Sequence, residues 1–279
     1  MKLRMTLFSL LVFLNTFGLS AFGATTNPVL RIESMESSGK SKVRKISLSQ
    51  MKNTLSQKDL VILNPEFQNT FHYKAFLLKD LLKPEIEKEN FDELVFICSD
   101  GYRSPLDRAR FDKLHLHLAF GEKLPNGREG WTVVDHAKQK ITPAPFYVLS
   151  SDPNEYKDYN WPFMVVAIEL VSYKKRYAEI LPKDLEKVPA TASTRGFQLF
   201  RKECIRCHTV NLVGGDIGPE LNTPRNVLEY LDHDYIKQFV RNPGAFRAKD
   251  KMPPFPNMTD DNLSDIFAYL EEMGQRKLK

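Results

Sequence analysis

The chain has 279 residues, with 40 Lys and Arg against 35 Asp and Glu and a formal net charge of +5. That excess is too small and too dispersed for a nucleic-acid-binding surface, so no nucleic-acid partner is expected. The length is sufficient for two domains.

Lys2 and Arg4 make a basic start, Met5 to Phe17 is an apolar run, and Ala21-Phe22-Gly23 has the small-x-small form of a signal-peptidase site. Residues 1–23 are expected to be a signal peptide and the mature chain to be periplasmic or otherwise exported. The run is shorter than the ~20 residues of a membrane span, which leaves an uncleaved anchor as the secondary reading. Removing Lys2 and Arg4 takes the charge from +5 to +3. The basic runs Lys40–Lys45 and Lys174–Arg176 read as solvated faces.

Residues 24–180 have a mixed α/β texture. Tyr73 to Leu82, ending at Lys83-Pro84, predicts a short helix. Leu94-Val95-Phe96-Ile97-Cys98 and the run from Phe163 to Val171 are apolar and β-branched, as strands are. Leu114-His115-Leu116-His117-Leu118 alternates with a period of two, as a half-buried strand does. Its two histidines share a face, but with no third ligand in view they read as surface rather than as a metal pair.

Residues 181–193 contain two prolines, small residues and charges that interrupt any apolar period, which predicts a linker. From 194 onward the pattern is helical. Thr194 is expected to cap a helix bearing Phe197, Leu199 and Phe200, and a second helix is expected over Asp234–Arg241, ending at Asn242-Pro243-Gly244. The last helix starts at Thr259, with Asp260 and Asp261 at the positive end of its dipole. Leu263, Ile266, Phe267, Leu270 and Met273 then form one apolar stripe.

Cys204-Ile205-Arg206-Cys207-His208 carries the chemistry. C-x-x-C-H is the attachment sequence of a c-type haem: two thiols three positions apart bond to the vinyl groups of one porphyrin, and the next residue supplies the proximal imidazole. A redox C-x-x-C pair would head a helix, and a zinc site would need further Cys or His nearby. The assignment uses two of the three cysteines and leaves Cys98 without an intramolecular partner.

Residues 194–279 resemble a class I cytochrome c domain through Gly196-Phe197-Gln198-Leu199-Phe200, the C-x-x-C-H run, Gly218-Pro219-Glu220-Leu221, Lys251-Met252-Pro253-Pro254-Phe255 and Ala268-Tyr269-Leu270. The resemblance implies an all-α cytochrome c fold and one covalent haem c. It also implies that Gly196 and Tyr269 lie close where the first and last helices cross, and that the Pro219 carbonyl accepts the proton of His208. The second axial ligand is expected to be Met252, in its Met-Pro turn. Met258 sits too near the next helix cap to reach the iron, and His233 is the alternative.

Residues 28–178 are similar to the molybdopterin-binding domain of sulfite-oxidase-like oxidoreductases. The resemblance lies in Phe76–Leu82, Val95–Arg103, Leu118-Ala119-Phe120, Pro145–Leu149 and Trp161-Pro162-Phe163 with Ile168-Glu169-Leu170. In that family a cysteine after a core strand ligates molybdenum, and Cys98 falls near that place. This chain departs from the pattern: Asp100-Gly101-Tyr102 follows the cysteine, and there is no His/Arg set for a pterin phosphate. The domain therefore reads as one that kept the fold without the cofactor and docks a redox partner protein, with attachment at the rim of a membrane respiratory complex as a variant. The alternative is a molybdenum-dependent oxidoreductase of a small oxyanion with the haem as relay.

Overall fold

The computed structural model describes residues 27–35, 41–88, 90–136, 139–248 and 250–278. The expected signal peptide lies outside the described residues. Among the described residues, no helix is long and apolar enough to cross a membrane.

The N-terminal part is sheet-rich. Strands β1 (Val29–Met35) and β2 (Ser41–Ser47) lead into helix α1 (Leu48–Thr54), then β3 (Gln57–Asn64), β4 (Asn69–Leu77) and the short helices α2 (Leu78–Leu81) and α3 (Lys83–Lys88). Next come β5 (Glu93–Cys98), β6 (Arg103–Asp107), α4 (Arg108–Phe111), β7 (Leu116–Lys123), β8 (Glu129–Gly130), β9 (Val134–His136), β10 (Gln139–Ile141), β11 (Tyr147–Ser150), β12 (Val165–Val171) and α5 (Tyr173–Arg176).

One sheet has the order β2-β1-β12-β5-β6, with β1 and β12 parallel. A second runs β11-β7-β4-β3, with β8 paired to β7. Leu30, Ile32, Phe96, Ile168, Phe76, Leu118 and Val148 meet in the core between them. Side chains alternate along a strand, so Leu94, Phe96 and Cys98 enter this core while Glu93, Val95 and Ile97 project from the opposite face. The C-terminal part meets that opposite face at Glu93, which is ion-paired to Arg201.

The predicted helix over Tyr73–Leu82 is corrected: the chain is strand through Leu77 and turns helical only at Leu78. β4 lies between β3 and β7, with Phe71, Tyr73 and Ala75 in one core and Phe76 in the other. Phe71, Tyr73 and Ala75 alternate with His72 and Lys74, and the alternation breaks only at Phe76, which enters the other core.

The segment after α5 is anchored rather than free. Leu181 and Leu185 pack against the C-terminal core, and the Lys183 N–H donates to Glu272 at 2.8 Å. Helix α6 (Ala192–Leu199) is capped by Thr191, whose hydroxyl accepts the Thr194 N–H at 3.2 Å. Thr194 is therefore inside the first turn instead of capping it, and its own hydroxyl donates to the Asp184 carbonyl at 3.1 Å. A π-helical turn, Phe200–Cys204, carries the chain into the attachment sequence; such widened turns concentrate at functional sites. The hairpin β13 (Thr209–Val210) and β14 (Val213–Gly214) follows, then α7 (His233–Arg241) and α8 (Asp260–Gly274).

α6 and α8 cross at Gly196. A Cβ there would lie 1.9 Å from the Asp265 carbonyl oxygen, so only glycine lets the helices approach this closely. The crossing point faces the backbone of Asp265 and Ile266, while Tyr269 sits against the rings of Phe197 and Phe200. At the far end of α8 three buried amides close the helix. Asn226 donates to Leu270 O at 2.7 Å, Asn222 to Met273 O at 2.8 Å and Asn211 to Arg276 O at 2.9 Å. These bonds tie the last turn of α8 and the residues after it to the loop that follows the attachment sequence.

Candidate functional site

The attachment sequence forms one helical turn. The N–H groups of Cys207 and His208 both donate to the Cys204 carbonyl, at 3.1 and 3.0 Å. Residues three apart on such a turn are neighbours, so the two thiols flank one side of it. Burial pushes the Cys204 thiol up to about 12 and the Cys207 thiol up to about 11. Neither is a thiolate at neutral pH, unlike the attacking member of a redox pair.

His208 Nδ1 donates to the Pro219 carbonyl at 2.9 Å, which fixes the ring and leaves Nε2 as the free donor atom. A Cβ on Gly218 would fall 2.5 Å from His208 Cε1, so a bare glycine lets this loop close over the imidazole. Burial lowers the pKa of His208, outweighing the Pro219 bond and the charges of Asp250 and Glu220, and keeps the ring in its neutral, ligating form.

Met252 is half-buried and its N–H donates to Asp250 Oδ1 at 2.8 Å, so its loop carries one of the two charges that reach His208. Met258 packs against the C-terminal core, and its carbonyl accepts from Arg241 Nε at 2.9 Å. His233 stacks on Phe267 at 4.7 Å between centroids. α7 has no buried residue, although Ile236 and Val240 lean toward the core.

These features fit a covalently held haem: paired thiols on one turn, a neutral imidazole oriented from behind and a thioether on the adjoining loop. Cys204 and Cys207 would make the covalent bonds, and His208 and Met252 would ligate the iron.

The N-terminal sheet reaches this turn. Arg103 N–H donates to the Arg206 carbonyl at 3.0 Å, Asp216 N–H to the Gly101 carbonyl at 3.2 Å, and Arg206 Nη1 to the Tyr102 hydroxyl at 3.2 Å. Beside them Arg201 is ion-paired with both Glu93 and Asp107, and its guanidinium lies 4.8 Å from the Tyr173 ring centroid. The sequence reading missed this junction. Its residues have no motif, and only the basic character of Arg201 and Arg206 around the cysteines hinted at it.

Residues 191–270 match the family model for cytochrome c oxidase, cbb3-type, subunit III. The C-terminal part is of the cytochrome c kind. Domains of this kind carry covalently bound haem c and transfer electrons. Over 117 residues the chain is 26% identical to the cytochrome c oxidase subunit 2 of Alkalihalophilus pseudofirmus (strain ATCC BAA-2126 / JCM 17055 / OF4), covering 40% of this chain. The match spans 34%, about a third, of that relative's length.

Cys98 does not suit a molybdenum ligand. Its side chain is 3% exposed among Phe96, Leu106, Val165 and Tyr102, and burial raises its thiol well above the usual range. No group of three or more His, Cys, Asp or Glu able to hold a metal ion occurs among the described residues. His115 is tied to Glu155 at 2.8 Å, and His117 Nδ1 lies 2.9 Å from the His115 carbonyl.

Proposed function

We propose that the chain is an exported monohaem c-type cytochrome that passes single electrons between redox partner proteins. Cys204 and Cys207 would anchor the haem, and His208 and Met252 would ligate its iron. The observation that carries this reading is the Cys204–His208 turn, with the imidazole aimed by Pro219. The haem supplies a one-electron couple. The protein orients the imidazole, presents a thioether that favours the reduced state and excludes water with α6, α7 and α8.

The N-terminal part, read as the sulfite-oxidase-like fold without its cofactor, serves as a docking domain, and its own first contact is with the attachment turn. The match to a cytochrome oxidase subunit supports a respiratory setting, at or near a membrane complex. The basic start and apolar run of residues 1–23 support export. The molybdenum-dependent alternative would need Cys98 as a ligand, and its apolar burial weighs against that.

The test is spectroscopic and elemental. The full chain, produced with c-type maturation, should show covalent haem bands with about one iron and no stoichiometric molybdenum. The Cys204→Ala/Cys207→Ala variant should lose the bands. Bands that survive in this variant, or molybdenum equal to iron, overturn the reading.

A further inference from the structure

Arg206 occupies an unusual position for a charged residue. It sits between the two attachment cysteines in sequence, yet its half-buried side chain reaches into the junction between the halves. There it meets neutral groups. Nη1 donates to the Tyr102 hydroxyl at 3.2 Å, the guanidinium lies 6.0 Å from the Tyr159 ring centroid, and Nε is buried with no partner. Burial also keeps both phenols un-ionised: the pKa of Tyr102 and that of Tyr159 are raised.

The carboxylate that acts on Arg206 is Glu203, and it is already paired with Lys202 at 3.1 Å. Asp100, on the facing turn, accepts the Tyr102 N–H at 3.0 Å. Arg201, one helical turn earlier, has what Arg206 lacks: two carboxylates in direct contact. A half-buried cation with no carboxylate in direct contact is costly to hold, and its field is screened less than that of an exposed one.

Resting on the haem reading above, we propose that Arg206 is a potential-setting residue: a fixed, uncompensated positive charge beside the attachment turn that favours the reduced state, held in place by the Tyr102 turn of the N-terminal half. Adding one electron lowers the charge of the redox site by one, and a nearby cation stabilises the less positive of the two states. The electron comes from and returns to a partner protein, and Arg206 neither gains nor loses a proton. The same contact gives the N-terminal half an effect on the electron site, because undocking would let water reach the guanidinium and screen it.

The experiment is redox titration of the haem-loaded full chain, with absorption bands recorded first in every variant. Arg206→Gln should lower the midpoint, with about a tenfold change in the reduced-to-oxidised ratio at fixed poise, about 59 mV for one electron. Arg206→Lys should recover most of that shift. Tyr102→Glu lies outside the attachment sequence and sets a carboxylate against the guanidinium, so it should also lower the midpoint. The shifts should persist in about 1 M salt, whereas that of the exposed control Lys202→Gln should vanish.

An unchanged midpoint in haem-loaded Arg206→Gln, or a shift that salt abolishes as it does for the control, overturns the proposal. If Arg206→Gln fails to acquire haem, Tyr102→Glu decides alone, and an unchanged midpoint there is equally fatal. A parent chain without haem bands would instead sink the cytochrome reading.

Discussion

Glu93 lies fully buried on the outer face of the N-terminal sheet, ion-paired to Arg201 of the turn that leads into Cys204. The pair joins residues 108 positions apart in sequence and closes the interface between the halves. Arg201 has a second partner in Asp107 at 2.5 Å, while one carboxylate oxygen of Glu93 has none.

That asymmetry predicts unequal losses. Arg201→Ala strands a fully buried carboxylate and should cost about 3–5 kcal/mol in urea unfolding. Glu93→Ala leaves the guanidinium with Asp107 and its tyrosine contacts and should cost less. Equal losses for both variants would contradict this account.

The two methionines should separate by spectrum. Met252→Leu is expected to change the ferric absorption spectrum and lower the midpoint, because a thioether ligand raises the potential. Met258→Leu, a packing change of similar volume, should leave both close to the parent and cost less than about 1.5 kcal/mol. The reverse pattern would move the ligand to Met258.

Gly218→Ala should impair the site without unfolding the chain. The new methyl would press on the His208 ring and drive it off the Pro219 carbonyl. Haem bands per protein should fall, with thermal unfolding of the N-terminal part unchanged. Full occupancy with an unshifted midpoint would show that the loop yields freely.

Glu220 predicts a pH effect. Its carboxylate accepts the N–H groups of Asn211, Leu212 and Asn222 at 2.9 Å each and of Thr223 at 3.2 Å. Burial alone would raise its pKa, but the hydrogen bond from the Thr209 side chain and those from the Leu212, Asn222 and Thr223 N–H groups outweigh it and hold the value below 4.5. A depressed carboxyl contributes stability that is present above its unfolded value near 4.5 and is lost as pH falls through the folded value. Glu220→Gln should remove that acid-side loss and cost about 1 kcal/mol at neutral pH, the low end for a partly exposed acceptor. Urea midpoints between about pH 2 and 7 would show it.

The parts of this chain that were readable share a local cause. α8 begins where Thr259 signals it, and α7 runs over His233–Arg241, because caps and a one-sided apolar stripe are written within a few residues. The Cys204–His208 turn is readable for the same reason. Tyr73–Leu77 was misread because Ala75 and Phe76 enter different cores, which breaks the alternation of Tyr73 and Lys74, and the change to helix falls inside one apolar run. Thr191 and Thr194 are chemically equal candidates three residues apart, and the Asp184 carbonyl draws the second one away. The junction had no signature, since Glu93 pairs with Arg201 and Tyr102 with Arg206 only through folding.

The hydrogen bond from Arg103 N–H to the Arg206 carbonyl has a consequence for the order of assembly. The strand that makes it emerges from synthesis about a hundred residues before the cysteines do. Once the two halves are docked, the backbone between Cys204 and Cys207 is held from the side. Any maturation factor that must grip this stretch and bring both thiols to a porphyrin has to act while the bond is open. Docking would then follow attachment, and the N-terminal half would act as the latch on a finished product.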